Sequence, residues 1–280
     1  MNLAEFMLKN SQMNCKICDS EISKIFEEKI LDKYVVDYFH CISCGFIQTE
    51  EPYWISEAYN SAIANMDTGL LERNQKIALV LPLLIKTHFN KYAKFLDYGA
   101  GYGVLVRLMR DKNLDFYWQD YFCENIFSKG FDVEKLSKEE QKFELITAFE
   151  VFEHMVNPVE ELEKILSYGE SILFSTNLIP NKFKAEVEPE KLKSWWYLSQ
   201  ETGQHTSLYT QKALEKLGKK FDLNFYTNGY NLHLFTRKKI NPIIFKILNL
   251  MKILKDTITS TNDLKGPRLD REIYKPQSKL

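Results

Sequence analysis

No apolar stretch in the chain reaches the eighteen or so uninterrupted residues that a membrane-crossing helix needs, although 45% of its 280 residues are hydrophobic. A membrane span is therefore not expected. An excess of one charge sign is missing too. The 37 Lys+Arg and 38 Asp+Glu leave a formal net charge of −1, which gives no global pull toward nucleic acid. The opening stretch "MNLAEFMLKNSQMN" has no basic start, no long apolar centre and no small-residue cleavage site. No signal peptide is read there, and a cytoplasmic location is expected. Internal repeats and low-complexity tracts are absent. With 27% charged residues, the composition is that of a soluble globular protein with one sizeable domain and a small appendage.

Cysteine is scarce but ordered. Four of the five form two C-x-x-C pairs, "CKIC" (Cys15, Cys18) and "CISC" (Cys41, Cys44). Without a secretory signal, this spacing points to a metal site rather than to disulfides. Four thiolates suit tetrahedral Zn²⁺, and a closed site leaves no open position, so the role is structural. Residues 15–44 read as a knuckle, a hairpin and a second knuckle, with "KYVVDYFHC" as a strand. A segment this small has little core of its own and needs such a staple. His40 is read as a bystander and Cys123 as a small core residue. The segment also lacks what RNA binding requires: "CKICDSEISKIFEEKI" is acidic, with no basic cluster interleaved with aromatics.

From about Leu70 to His88 the apolar spacing is helical, with Pro82 as an expected kink. Strands and helices then alternate. "AKFLDYG", "DFYWQD", "FELITAFE" and "ESILFSTNL" read as strands; "GVLVRLMRD", "NPVEELEKILSYG" and "TQKALEKLGKKF" read as helices. "LNFYTNGYNLHLFTRK" closes as two strands around an Asn-Gly turn. The pattern predicts an α/β fold, doubly wound, with a mainly parallel sheet and one antiparallel strand.

The first strand of this series runs into "DYGAGYG", with Gly99, Gly101 and Gly103 at alternate positions. Glycine after a buried strand lets backbone approach a ligand closely, and a following helix aims free N–H groups at the same place. Dinucleotide folds use G-x-G-x-x-G, but here the third position is Val104. The pattern D-x-G-x-G-x-G instead resembles motif I of the class I S-adenosylmethionine (SAM)-dependent methyltransferases. "FELITAFEVFEHMVNPVEELEKIL" resembles a second stretch of that family, and together they span roughly residues 70–239. The resemblance implies a Rossmann-like methyltransferase sheet and a set of SAM-binding residues. Asp120 would bind the ribose hydroxyls through charge-assisted hydrogen bonds, and Tyr121 would touch the adenine face. Asp97 would lie near the methionine amino group, and Phe149 and Glu150 would sit at a strand end beside the cofactor. An acidic third-strand contact to adenine is not evident around "GFDVEKLSKEE".

Methyl transfer requires an aligned nucleophile and often a proton acceptor. His154, His205 and His233 are the candidate bases, and His205 and His154 are carried forward as catalytic. "EVFEH" groups Glu150, Glu153 and His154. Similar E-x-x-E-H sets in small-RNA 2′-O-methyltransferases and ubiquinone-pathway O-methyltransferases bind a divalent cation, which raises Mg²⁺ as a further cofactor with His205 completing the site. The same segment elsewhere in the superfamily serves local hydrogen bonds, and both readings stand. "KSWWYLSQETGQHTSLYT" follows the fifth strand, where the fold builds its acceptor lid. Trp195, Trp196 and Tyr197 would either stack on an acceptor or cover the core.

Three regions are expected: a zinc-knuckle segment over 1–60, a methyltransferase domain over 61–239 and a basic amphipathic tail over 240–280. The tail carries eight Lys/Arg against four Asp/Glu, with Lys246, Asn249, Lys252 and Lys255 along one stripe. It would dock on its own domain or meet a membrane surface or partner. The layout looks like methyltransferases found with bacterial surface-glycan and sugar-biosynthesis genes. That implies O-methylation of a sugar, nucleotide-sugar or glycan hydroxyl. The alternatives are an RNA methyltransferase and a non-catalytic SAM-binding scaffold.

Overall fold

The computed structural model describes residues 13–59, 69–180 and 189–248. Two sheets organise it. The N-terminal sheet contains β1 (Ile22–Ile30), β2 (Tyr34–Cys41) and β3 (Ile47–Thr49), each antiparallel to the next. The central sheet begins with β4 (Lys94–Tyr98), β5 (Asp115–Gln119), β6 (Leu145–Ala148) and β7 (Ser171–Ser175), all parallel. Next in the chain is β8 (Ser207–Leu208), which leaves this sheet and pairs with β3 instead. The hairpin β9 (Asn224–Thr227) and β10 (Leu232–Thr236) completes the central sheet, which runs β5-β4-β6-β7-β10-β9. β10 is antiparallel to both of its neighbours. The expected strands and the one reversed strand are thus all present. "LITA" and "SILFS" are apolar without alternation because both strands are buried along their whole length.

Four longer helices pack around the central sheet: α1 (Leu70–His88), α2 (Val104–Arg110), α3 (Pro158–Leu166) and α4 (Gln211–Lys219). α3 starts with Pro158 at its first turn, where the missing N–H costs nothing. α4 starts at Thr210, whose hydroxyl accepts the Ala213 N–H. Pro82 lies inside α1. The hairpin turns at Asn228–Gly229, where the Asn228 side-chain oxygen accepts N–H groups from Tyr230, Asn231 and Leu232.

The C-terminal stretch begins as docked helix. Over 243–248 the chain is helical, and Ile244, Phe245 and Leu248 are buried in one cluster with Leu81, Leu84 and Ile85 of α1. Lys246 faces outward. The rest of the basic stripe, from Asn249, lies outside the described residues. None of the described helices is long and apolar enough to cross a membrane.

Strand order fixes where a ligand can sit. The chain steps from β4 outward to β5 and then back across to β6, so the topological switch point lies between β4 and β6. Ligands of open α/β sheets bind at the carboxyl ends of the strands at such a point. The glycine turn follows β4, Asp120 follows β5 and Phe149–Glu150 follow β6, so these residues meet at that edge.

Candidate active site

A cleft of about 1300 Å³ opens at the switch point. Asp97, Gly99, Gly101, Asp120, Tyr121 and Phe149 line it, together with Glu150, His154 and His205. The cysteine cluster lies elsewhere, at the base of the N-terminal sheet. Three of the sequence-predicted groups therefore converge on one cavity, and the fourth braces a neighbouring sheet.

The turn after β4 is shaped by left-handed backbone. Gly99, Gly101 and Gly103 have φ of +68°, +53° and +84°, values that side chains disfavour. At Gly99 and Gly103 space forbids them as well. A Cβ on Gly99 would lie 2.6 Å from Val151 Cγ2, and one on Gly103 would lie 2.5 Å from Ser128 Oγ. Asp120 ties the turn to β5. Its carboxylate accepts N–H groups from Gly101 (2.9 Å), Phe122 (2.7 Å) and Cys123 (2.8 Å). A carboxylate offers about four lone-pair directions, so one stays open, and Asp120 lines the cleft. Tyr121 is 68% exposed at the rim, with its ring edge-on to Tyr98.

Asp97 lies beneath the turn and is buried. Burial pushes its carboxyl up to about 7, although Thr147 Oγ1 donates to it at 2.6 Å. Glu150 holds the strained φ of +55°. It is locked by Ser175, whose hydroxyl accepts the Glu150 N–H and donates to the Glu150 carboxylate. The Glu150 carboxylate also faces Arg73, 4.0 Å away.

On the acceptor side, His154 and His205 stand edge to face, 4.9 Å between ring centres. His205 Nδ1 lies 2.6 Å from the backbone carbonyl of Tyr197. A carbonyl only accepts, so Nδ1 carries the proton and Nε2 keeps its lone pair. Burial lowers the His205 pKa to about 4, which keeps the ring neutral near pH 7. His154 is lowered to about 3 by burial and by His205, and its Nδ1 is 3.1 Å from the Tyr59 hydroxyl. Tyr59 also stacks on Phe122 at 4.4 Å. His233 is a core residue, tied to Thr227 Oγ1 and the Thr176 carbonyl.

Glu153 lies wholly buried beneath the imidazoles, and neither carboxylate oxygen has a hydrogen-bond partner. Burial and the Glu150 charge push it up to about 8, so it holds a proton at neutral pH. Glu153, His154 and His205 bring one ligand atom each within 4.8 Å of one another. Two nitrogens and one carboxylate are a poor match for Mg²⁺, which prefers an octahedron of oxygens. Glu150, engaged by Ser175, stands apart from the trio.

The Trp-Trp-Tyr run divides. Trp195 and Tyr197 are buried in the N-terminal core, whereas Trp196 is 59% exposed and lines the cleft. Cys123, expected in the core, is half-buried on the cleft wall. It follows Asp120 in a loop whose backbone is turned inward by that carboxylate. Sequence reasoning missed Tyr59, which no motif marks. Its aromatic neighbours in sequence, Tyr53 and Trp54, were the available signal.

The four cysteines test well as a metal cage. All four Sγ atoms lie within 4.8 Å of one another, with Cys15–Cys44 at 3.6 Å and Cys18–Cys41 at 3.5 Å. Sulfurs at the corners of a zinc tetrahedron with about 2.3 Å bonds would stand about 3.8 Å apart. Hydrogen bonding from Cys44 holds Cys15 down at about 5, and the same contact pushes Cys44 up.

Comparison with known proteins now adds to this geometry. Residues 70–228 match the family model described as "Methyltransferase domain", more than half of the chain. The chain belongs to this methyltransferase family. With the D-x-G-x-G-x-G turn, the acidic end of β5 and the strand order, it is a SAM-dependent methyltransferase. A search of curated proteins found no match. Among solved structures, it is similar to the plantazolicin methyltransferase BpumL in complex with a monoazolic desmethylPZN analog and S-adenosylhomocysteine (SAH). The identity is 14%, covering 76% of this chain and 90% of that one, with a TM-score of 0.45. It is also similar to magnesium protoporphyrin IX methyltransferase ChlM from Synechocystis PCC 6803 with bound SAH. There the identity is 13%, covering 66% and 95%, with a TM-score of 0.42.

Proposed function

We propose that this methyltransferase O-methylates a sugar, as a free sugar, nucleotide-sugar or glycan hydroxyl, in the cytoplasm. The observation that supports this is His205: a neutral imidazole with Nδ1 fixed on a carbonyl and Nε2 free at the cleft. The same cleft is lined by the exposed Trp196 and by Ser199, Thr202 and Asn231. An indole face packs on the C–H face of a sugar ring, and hydroxyl and amide groups satisfy its hydroxyls. A sugar hydroxyl must lose its proton as it accepts a methyl group. His205 Nε2 takes that proton, in the general-base role.

The residues at the switch point would hold the donor. Bound SAM supplies a methyl group on a positively charged sulfonium. The glycine turn lets backbone approach it, and the remaining acceptor site of Asp120 takes a ribose hydroxyl. Tyr121 covers the adenine, Phe149 and Glu150 flank the site, and Asp97 faces the methionine ammonium. Zn²⁺ would be held by Cys15, Cys18, Cys41 and Cys44, with a structural role. The acidic character of that segment disfavours the RNA reading.

Calorimetric titration with SAH tests the donor half. Asp120→Ala removes the ribose partner and leaves three N–H groups unpaired. A charge-assisted bond of about 1.5–3 kcal/mol translates into a Kd about 10- to 150-fold weaker. Unchanged affinity would refute the donor assignment. The acceptor half is tested with His205→Gln, which keeps a hydrogen-bonding side chain and removes the base. Turnover on a methylatable sugar is expected to fall about 10²–10³-fold with SAH binding unchanged. Normal turnover would remove His205 from the mechanism.

A further inference from the structure

The N-terminal sheet grips the segment that carries His205, on both sides of that residue. Thr49 N–H donates to the Thr206 carbonyl at 3.1 Å, and β3 pairs with β8 immediately beyond. Leu31 N–H donates to the Gln200 carbonyl at 2.9 Å. Gln204 Nε2 donates to the Ala58 carbonyl at 2.8 Å. Trp54, 1% exposed, donates from Nε1 to the Gly203 carbonyl at 2.8 Å.

Gly203 is the point of closest approach. Its φ is +65°, and a Cβ there would stand 2.5 Å from Ile30 Cγ2 and 3.2 Å from Trp54 Cδ1. Only glycine lets the loop press this closely against the sheet. The grip leads back to the cysteines. Thr210 Oγ1 donates to the Cys44 carbonyl at 2.5 Å, and Lys216 Nζ donates to Ser43 Oγ at 2.8 Å. β3 starts shortly after Cys44, and the Cys41 N–H donates to the Phe46 carbonyl at 2.9 Å. Hydrogen bonds therefore run continuously from the cysteine knuckle through β3 to the His205 loop, and Trp54, five residues beyond the end of β3, anchors the same loop at Gly203. None of these contacts reaches the glycine turn or Asp120.

We propose that Trp54 is a positioning residue for His205, and that the metal state of the four-cysteine site is transmitted along this path to the imidazole while donor binding is left alone. This rests on the reading of His205 as the base. Trp54 touches neither substrate nor donor; it fixes the carbonyl of Gly203, two residues before His205. With that anchor and the Gln204–Ala58 bond in place, His205 keeps its Nδ1–H on Tyr197 and its free Nε2. Without them the ring samples both tautomers.

The experiment labels the imidazoles with ¹⁵N; the chain has five histidines, few enough to assign by substitution. The wild-type protein loaded with zinc should show His205 as a single Nδ1–H tautomer. Trp54→Phe removes the indole N–H while keeping an aromatic ring. It should give a mixed His205 tautomer, with zinc stoichiometry retained and the Kd for SAH within twofold of wild type. Gly203→Ala should act the same way through the Ile30 contact. Stripping zinc with a chelator should reproduce the mixed tautomer, again with SAH binding intact. A His205 spectrum unchanged in both variants and in stripped protein would overturn the proposal. So would parallel loss of SAH binding, because the effect would then be global. The tautomer is read without any acceptor, so failure of the base assignment in the His205→Gln turnover assay is a separate result.

Discussion

On the zinc site proposed above, Cys41→Ser is expected to release the metal and to lower the thermal unfolding midpoint by roughly 10 °C. The cysteines hold together a segment whose own core is slight: Phe26, Ile30, Val36 and Tyr38, shared with Trp54, Trp195 and Leu208. Zinc-binding free energies of small fingers are about 10–16 kcal/mol. The segment here is also held by β8 and by packing of Ile17 and Phe46 against the main core, so part of its order survives. A third of that free energy, at about 2–4 °C per kcal/mol for a chain of this size, gives the stated drop. Metal analysis and a calorimetric scan check it. Limited proteolysis should cut first within the N-terminal sheet, the unit that opens without global unfolding. Equal midpoints and zinc contents in the two proteins would remove the staple from the account.

Much of the central sheet was legible because its signals are local. Continuous apolar runs ending in turn residues marked β4, β6 and β7, and Asn228–Gly229 marked the last hairpin. The three glycines could be picked out because a tight turn that must admit a ligand restricts residue type, whereas Asp97 and Asp120 were marked by the resemblance to the methyltransferase motifs. What the sequence hid is non-local. β8 is two residues long and carries no period of its own; it is a strand because β3 lies beside it. Tyr59 reaches His154 across a separation that no spacing rule describes. The split among Trp195, Trp196 and Tyr197 is equally a product of packing. Alternate faces of an irregular turn meet the N-terminal core and the cleft, and all three side chains would satisfy either environment.

Asp97 leads to the second large effect, in which donor binding expels a proton. In the ligand-free protein burial holds the Asp97 carboxyl up at about 7 against an ordinary 3.8. The folded state therefore binds this proton more tightly than the unfolded state does. Its contribution to stability is greatest below about pH 4 and is lost as pH rises toward 7, on the order of 3–5 kcal/mol across that window. An ammonium group placed beside the carboxylate reverses the preference, because an opposite charge at short range favours the ionised form. Binding SAM or SAH at pH 6 should thus release close to one proton, and the Kd should tighten about tenfold per pH unit from 5.5 toward 7 and then level off. Calorimetry in two buffers of different ionisation enthalpy measures the proton count directly. Asp97→Asn, which keeps the Thr147 contact and cannot ionise, should flatten the pH profile and bind at least tenfold more weakly at pH 8. A wild-type profile that is already flat would place the methionine ammonium away from Asp97 and leave that carboxyl as a buried, protonated partner of Thr147.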